Sequence, residues 1–134
     1  MAGSRVADKF STQFGSMLLG SALGVNLNSA INVDTPVFLI DTPTKFRIRA
    51  VALTNGSINP TTARFTLNTG ALATGVAVVT AVTPALASSA VVQDLTIAST
   101  NAITGTGTLY INLGTAQGAA ATADIYIYGD ILTG

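Results

Sequence analysis

Phe46-Arg47-Ile48-Arg49-Ala50-Val51-Ala52-Leu53-Thr54-Asn55-Gly56, residues 46–56, decides how this chain is to be read. Its bulky apolar and charged side chains alternate, the two-residue period of a strand with one face on a core and the other toward water. Phe46, Ile48, Ala50 and Ala52 fall on one face, and Arg47, Arg49, Val51 and Leu53 on the other. Thr54-Asn55-Gly56-Ser57 then ends the run, because Asn and Gly accept the positive φ of a tight turn.

The same grammar extends both ways. Upstream, Val37 to Ile40 is a short apolar run bracketed by Asp34-Thr35-Pro36 and Asp41-Thr42-Pro43. Val25, Leu27, Ile31 and Val33 alternate with polar or small residues, as in a half-buried strand or an extended arm. Downstream, Ala63, Phe65 and Leu67 alternate with Arg64, Thr66 and Asn68. Residues 75–82 (GVAVVTAV) are apolar on both faces, which suits a central strand. Residues 91–98 and 108–113 follow, and then Ile125, Ile127 and Ile131 stand opposite Asp124, Tyr126, Tyr128 and Asp130. Residues 99–107 and 114–123 between them are rich in Gly, Ser, Thr and Ala and read as loops. About eight short strands with turn chemistry between them predict an all-β protein, an antiparallel β-sandwich of the eight-stranded jelly-roll kind.

Only the N-terminus has another period. Val6, Phe10, Phe14 and Met17/Leu18 recur at three and four residues, one stripe of a helix over 4–19, with Ser4 as cap and Gly20 as its end. So short a helix is marginal alone in water, so the stripe packs on the domain's own sheet or on a partner. The expected division is an N-terminal arm over 1–35, a short amphipathic helix and then an extended segment, followed by a β-sandwich over 36–134.

Composition bounds the function. The 134 residues fit one domain and contain no Cys, His, Trp or Glu. Six basic and six acidic residues make 9% charged and net zero, far below the ~25% of ordinary soluble domains. A surface so poor in charge favours association, as in a subunit covered within an assembly. The basic residues lie in the first half, without the density of a nucleic-acid footprint. No run reaches the length of a membrane span. Met17 to Leu23 is too short and too broken by Gly20 and Ser21 to predict export.

Without His and Cys there is no Ser-His-Asp or Cys-His device, and zinc loses its usual ligands. Asp124 and Asp130 lie roughly 20 Å apart along one strand, too far for a carboxylate pair. Lys9 and Lys45 sit in terminal or turn context, a poor setting for a Ser–Lys nucleophile. Asp34 and Asp41 flank one run and could share a calcium ion, or simply form turns. The Gly-rich pieces lie between strands and not at a strand-to-helix turn, so they are turns rather than phosphate loops. The expectation is a protein that is not an enzyme and needs no metal or cofactor. What remains is contact surface: Arg47 and Arg49 on one strand face, Tyr126 and Tyr128 on another, and Phe10, Phe14, Met17 and Leu18 on the N-terminal stripe.

The C-terminal run from Gly114-Thr115-Ala116-Gln117-Gly118 to Asp124-Ile125-Tyr126-Ile127-Tyr128-Gly129-Asp130 resembles small head-decoration (cement) proteins of tailed bacteriophages. So does the order Phe46-Arg47-Ile48-Arg49, Thr54-Asn55, Asp94-Leu95-Thr96 and Thr108-Leu109-Tyr110 before it. The likeness spans residues 44–134 and is one of turn and strand residues, without a catalytic signature. It implies a β-sandwich, commonly a homotrimer, on the outer surface of the virion capsid, where it clamps major capsid protein subunits against internal pressure. The partners it implies are that protein and other copies of the chain, with no nucleic acid and no membrane. The alternative from composition is a receptor- or glycan-binding head domain of a phage fibre, although no Trp and only three Tyr are present to stack on sugars.

Overall fold

The alternation that starts at Phe46 does form a strand, but its phase changes half-way along. In the computed structural model, which describes residues 17–40, 43–104 and 107–133, this strand is β3 (Lys45–Thr54). It pairs antiparallel with β9 (Thr122–Thr133), matching Phe46 to Ile131, Arg47 to Asp130 and Ile48 to Gly129, and then Ala50 to Tyr128. Arg49 is an extra residue without an opposite number, a β-bulge. Before it the buried residues are Phe46 and Ile48; after it they are Val51 and Leu53. One inserted residue exchanges the two faces of everything beyond it. The single alternation expected over 46–53 is thereby corrected: Ala50 and Ala52 join Arg47 on the outer face, and Val51 and Leu53 turn into the core.

The other strands are β1 (Met17–Asn26), β2 (Asp34–Phe38), β4 (Arg64–Gly70), β5 (Thr74–Val82), β6 (Gln93–Leu95), β7 (Ile103–Thr104) and β8 (Thr108–Thr115). Two antiparallel sheets form a β-sandwich. One has the order β1-β9-β3-β6, with β7 also on β3; the other has the order β2-β8-β4-β5. Phe46, Ile48, Ile127, Phe65, Leu67 and Leu109 meet between them and are at most 1% exposed. The core is tight: a void of about 10 Å³ among Val25, Leu27, Leu53, Phe65, Ile111 and Ile125 is walled by apolar side chains, which leave a water nothing to bond.

Nine strands are described where the turn spacing predicts eight, because Ile103 in the expected 99–107 loop is buried and pairs with Phe46. Residues 75–82, expected to form a central strand, lie in β5 at a sheet edge, with Gly75 and Val76 exposed. The larger difference is at the N-terminus. Residues 17–19 are not the last turn of a helix but the start of β1, paired to β9 through Met17–Gly129 and Leu18–Tyr128. Helical spacing would put Met17 and Leu18 on one stripe; the strand sends Met17 toward the core and Leu18 out. Ladder hydrogen bonds and a fully buried Leu19 outweigh a helix propensity already weakened by Gly20. The sandwich therefore includes residues assigned by sequence to the arm, Val25 and Leu27 of its core among them. Ile31 and Val33, read as the continuation of that face, are exposed. The chain turns between them at Asn32 (φ 61°), whose N–H donates to the Leu113 carbonyl. Phe10 and Phe14, with the expected helix up to residue 16, lie outside the described residues, as do Asp41, Gly105 and Thr106.

The link between β4 and β5, Ala71–Ala73, bears on the second sheet. Leu72 (φ 57°) and Ala73 (φ 59°) both hold left-handed backbone, at a cost of about 1–2 kcal/mol each. The Leu72 N–H donates to both carboxylate oxygens of Asp34, at 3.1 and 3.0 Å, and Asn112 Nδ2 donates to the same side chain at 3.1 Å. Asp34 is on edge strand β2, so the link reaches across β8 to its anchor. Asn68 and Asn112 are consequently only 5% exposed, although they alternate with the inward Leu67, Ile111 and Leu113. Replacing Asp34 with Ala is expected to destabilise the fold by about 1–3 kcal/mol, since the orphaned N–H and amide lose a charged acceptor. Amide exchange of residues 71–75 measured by mass spectrometry should accelerate well before global unfolding; unchanged exchange there contradicts the anchoring role.

Candidate functional site

Five of the contact candidates reach one surface, the outer face of the β1-β9-β3-β6 sheet. Along β9, Ile125, Ile127 and Ile131 go inward, which sends Tyr126 and Tyr128 outward, both half-buried. Register supplies their neighbours. Tyr128 lies between Leu18 of β1 and Ala50 of β3, and Tyr126 between Ser21 and Ala52, with Asp94 of β6 beyond Ala52. Leu18 is 36% exposed. Because the bulge has turned Ala50 and Ala52 outward, the two rings are flanked by methyl groups and not by Val51 and Leu53. Only small side chains stand beside them on β3, so the surface there is low and the rings stand above it.

One end of the face carries a charge cluster. Arg47 Nη2 donates to Asp130 Oδ2 at 3.0 Å, and Arg49 Nε donates to the same oxygen at 2.5 Å. The bulge makes this possible, since it brings two successive arginines of β3 over one residue of β9. Asp130 belongs by alternation to the outer face, yet its side chain is 2% exposed, roofed by arginine side chains that are themselves 35% and 41% exposed. One carboxylate serves two cations, so the cluster carries a net positive charge, and Arg47 Nε is buried without a hydrogen-bond partner among the described residues. Gly129 is the hinge of this arrangement. A Cβ built on it would meet the Arg47 carbonyl oxygen at 1.9 Å, so any other residue would push β3 and β9 apart.

The opposite end is acidic and tied down. Asp124 accepts from the Gly24 N–H at 2.7 Å and from Asn55 Nδ2 at 2.8 Å, which fixes the β1 bulge (Gly24 φ 64°) to the turn after β3. Asp94 is exposed and makes no side-chain hydrogen bond or ion pair among the described residues. The face therefore runs from positive at Arg47 and Arg49, through two tyrosines and two alanines, to negative at Asp94 and Asp124.

Of the predicted contact residues, Leu18, Arg47, Arg49, Tyr126 and Tyr128 meet here, while Met17 points into the core side and does not. The residues missed by sequence reading were Asp130 as the partner of both arginines, and Ala50 and Ala52 as neighbours of the rings. The scarcity of charge held the signal for the first: Arg47, Arg49 and Asp130 are three of the protein's twelve charged side chains, and all three lie on the paired strands β3 and β9.

Elsewhere the described surface offers less. A shallow depression of about 200 Å³ lies among Val79, Thr80, Ala81, Val82 and Thr96, without a titratable group. Asp34, one half of the conceivable calcium pair, is engaged by Leu72 and Asn112. No group of three or more metal-ligating side chains occurs among the described residues, and no described helix is long and apolar enough to cross a membrane. Compared with family models, with curated proteins and with solved structures, the chain matches none.

Proposed function

We propose that this protein is a capsid decoration (cement) protein: a non-enzymatic jelly-roll module that binds the outside of a viral shell and bridges its major capsid subunits. The jelly-roll reading is supported by the order of pairing. β4 pairs with β5, β3 with β6 and β7, β2 with β8, and β1 with β9, nested like one long hairpin, while β3–β9 and β4–β8 roll it into two sheets. β6 and β7 together fill one strand position, which brings nine described strands to eight places.

The observation that carries the functional reading is the outer face of the first sheet. In a chain with only twelve charged residues it places two tyrosines, Leu18 and a solvent-facing Arg–Asp–Arg cluster together. Tyr and Arg are the side chains that anchor protein interfaces, and their burial stabilises an assembly by mass action. Among the described residues ten large apolar side chains stand exposed, Leu23, Phe38, Leu72 and Val92 each at 60% or above. The N-terminal segment before Met17, with Phe10 and Phe14, serves as a further attachment to the shell.

The test is sedimentation of the purified protein with and without DNA-free heads of the virus that encodes it. Saturable co-pelleting is the expected result; a chain that stays in the supernatant at every ratio counts against the reading. Removing residues 1–16 is expected to weaken co-pelleting at least tenfold while urea unfolding stays cooperative. The cut stops there because one extending into β1 would delete Leu19 from the core. Strong, selective binding on a glycan array would instead favour the fibre-head alternative.

A further inference from the structure

We propose that the outer face of the β1-β9-β3-β6 sheet takes an acidic, extended segment of its protein partner, whose carboxylates seat on Lys45, Arg47 and Arg49 along β3. The inference rests on the reading of this face as the shell-contact surface and names the chemistry of what it meets. It begins with a count of charge. Lys45, Arg47 and Arg49 are three of the chain's six basic residues, and they alternate along one half of one strand. Phe46 and Ile48 between them point into the core, so all three side chains leave on the outer side. One carboxylate, Asp130, faces them. It accepts from Arg47 and Arg49 through a single oxygen, while Lys45 is exposed, with no ion pair or side-chain hydrogen bond among the described residues. Three positive charges against one negative leave two in excess. Asp94 and Asp124 do not offset them. They stand opposite Ala52 and Thr54, roughly 10 Å or more beyond Arg49 by strand rise, outside the ~8 Å screening length of physiological salt.

The donors left over define the ligand. Arg49 uses Nε on Asp130, and its two terminal nitrogens, the planar fork that fits both oxygens of a carboxylate, bond nothing among the described residues. Arg47 uses Nη2, which leaves Nη1 for a second acceptor. Asp130 already holds both guanidinium groups in place, so little side-chain freedom remains to be lost when another carboxylate arrives. Lys45, Arg47 and Arg49 follow one another at roughly 6.6 Å, the step between alternate side chains of any extended chain. A segment with acidic side chains at every second position therefore meets the row in register. Tyr128, opposite Ala50 on β9, stands at the end of the row and offers a ring to the next side chain of the segment. Nucleic acid fits this surface less well, since two excess charges fall short of the roughly six to ten phosphates that a duplex-binding protein commonly neutralises.

Co-pelleting of the full chain with DNA-free heads of the encoding virus, repeated across a salt series, tests this. Affinity is expected to fall roughly tenfold between ~50 and ~500 mM NaCl, whereas a contact made by apolar side chains alone would hold. Lys45→Glu, which breaks no described side-chain bond, and Arg49→Gln are each expected to weaken co-pelleting about tenfold and to flatten the salt dependence. Arg64→Gln, on the other sheet, should change neither. Circular dichroism melts establish which variants are folded, and Lys45→Glu stays decisive if Arg49→Gln loosens Asp130. In a second arm, a short synthetic peptide in which glutamate alternates with threonine, at millimolar concentration, should shift the side-chain Nε–H resonances of Arg47 and Arg49 but not of Arg64. Its lysine counterpart should shift none. Heads bound equally tightly at every salt concentration, or by Lys45→Glu as by wild type, overturn the inference and leave the decoration reading standing. Heads never bound remove the decoration reading, and the peptide then decides the chemistry of the face by itself: resonances that stay in place overturn the inference as well. Retention on duplex DNA that Lys45→Glu abolishes would assign the row to phosphate, and would also overturn it.

Discussion

Gly129→Ala is expected to cost about 3–5 kcal/mol, a large share of the 5–15 kcal/mol that a domain of this size commonly has. A Cβ on Gly129 would stand 1.9 Å from the Arg47 carbonyl oxygen, 3.0 Å from its carbon and 2.9 Å from Leu19 Cδ1. The first two contacts are with backbone, which cannot swing aside as a side-chain tip can. Arg47 is paired with Asp130 in the β3–β9 ladder, and the bulge at Arg49 fixes how close the strands come. Relief therefore means parting two central strands of a sheet whose inner side is the core. Gly114→Ala makes the control: the nearest atom to its Cβ is the Arg64 carbonyl oxygen at 3.9 Å, an ordinary contact, so the change should stay within about 0.5 kcal/mol. Urea unfolding of the two variants reads the contrast directly. Equal midpoints would mean that the close approach of β3 to β9 at Gly129 is wrong.

Asp130→Ala is the next largest, at about 2–3 kcal/mol. Removing one member of a fully buried ion pair costs ~3–5 kcal/mol, but here both arginines keep a third or more of their exposure, so water takes up part of the loss. What makes the loss large for a surface cluster is that two guanidinium groups are orphaned together, and Arg47 Nε already lacks a partner. Asp130→Asn should fall between, keeping an acceptor oxygen without the charge. Thermal melts of both variants check this, and an Asp130→Ala protein as stable as wild type would mean that the two arginines are not held by this carboxylate. The same substitution frees the arginine end of the face, so any binding that needs their present geometry should weaken beyond the change in stability.

These two positions also mark where sequence reading ran out. The strand class was legible, because period-two alternation and Asn-Gly, Thr-Pro and Gly-rich punctuation are local signals that each segment carries by itself. So was the outward placement of Arg47, Arg49, Tyr126 and Tyr128, since they sit at alternating positions. Their meeting was not, because it depends on β9 lying between β1 and β3, a pairing across eighty residues that no local pattern encodes. The bulge escaped for a related reason: Arg49-Ala50-Val51-Ala52 reads as unbroken alternation, and only Gly129 opposite Ile48 marks the place where an extra residue fits. At the N-terminus, helix spacing of Val6, Phe10, Phe14 and Met17/Leu18 was extended three residues too far. Leu18 and Leu19 stand one on each side of a sheet, which a stripe of period 3.6 cannot express.

On the proposed function this molecule works by contact alone, stabilising a shell that it covers. The most direct measurement is a heat challenge of DNA-filled heads of the encoding virus, stripped of the protein and then supplied with it again, scored by release of packaged DNA. Re-decorated heads are predicted to hold their DNA to a higher temperature than stripped heads, saturating as the surface fills. Heads that bind the protein and burst at an unchanged temperature, or that never take it up, would contradict the account.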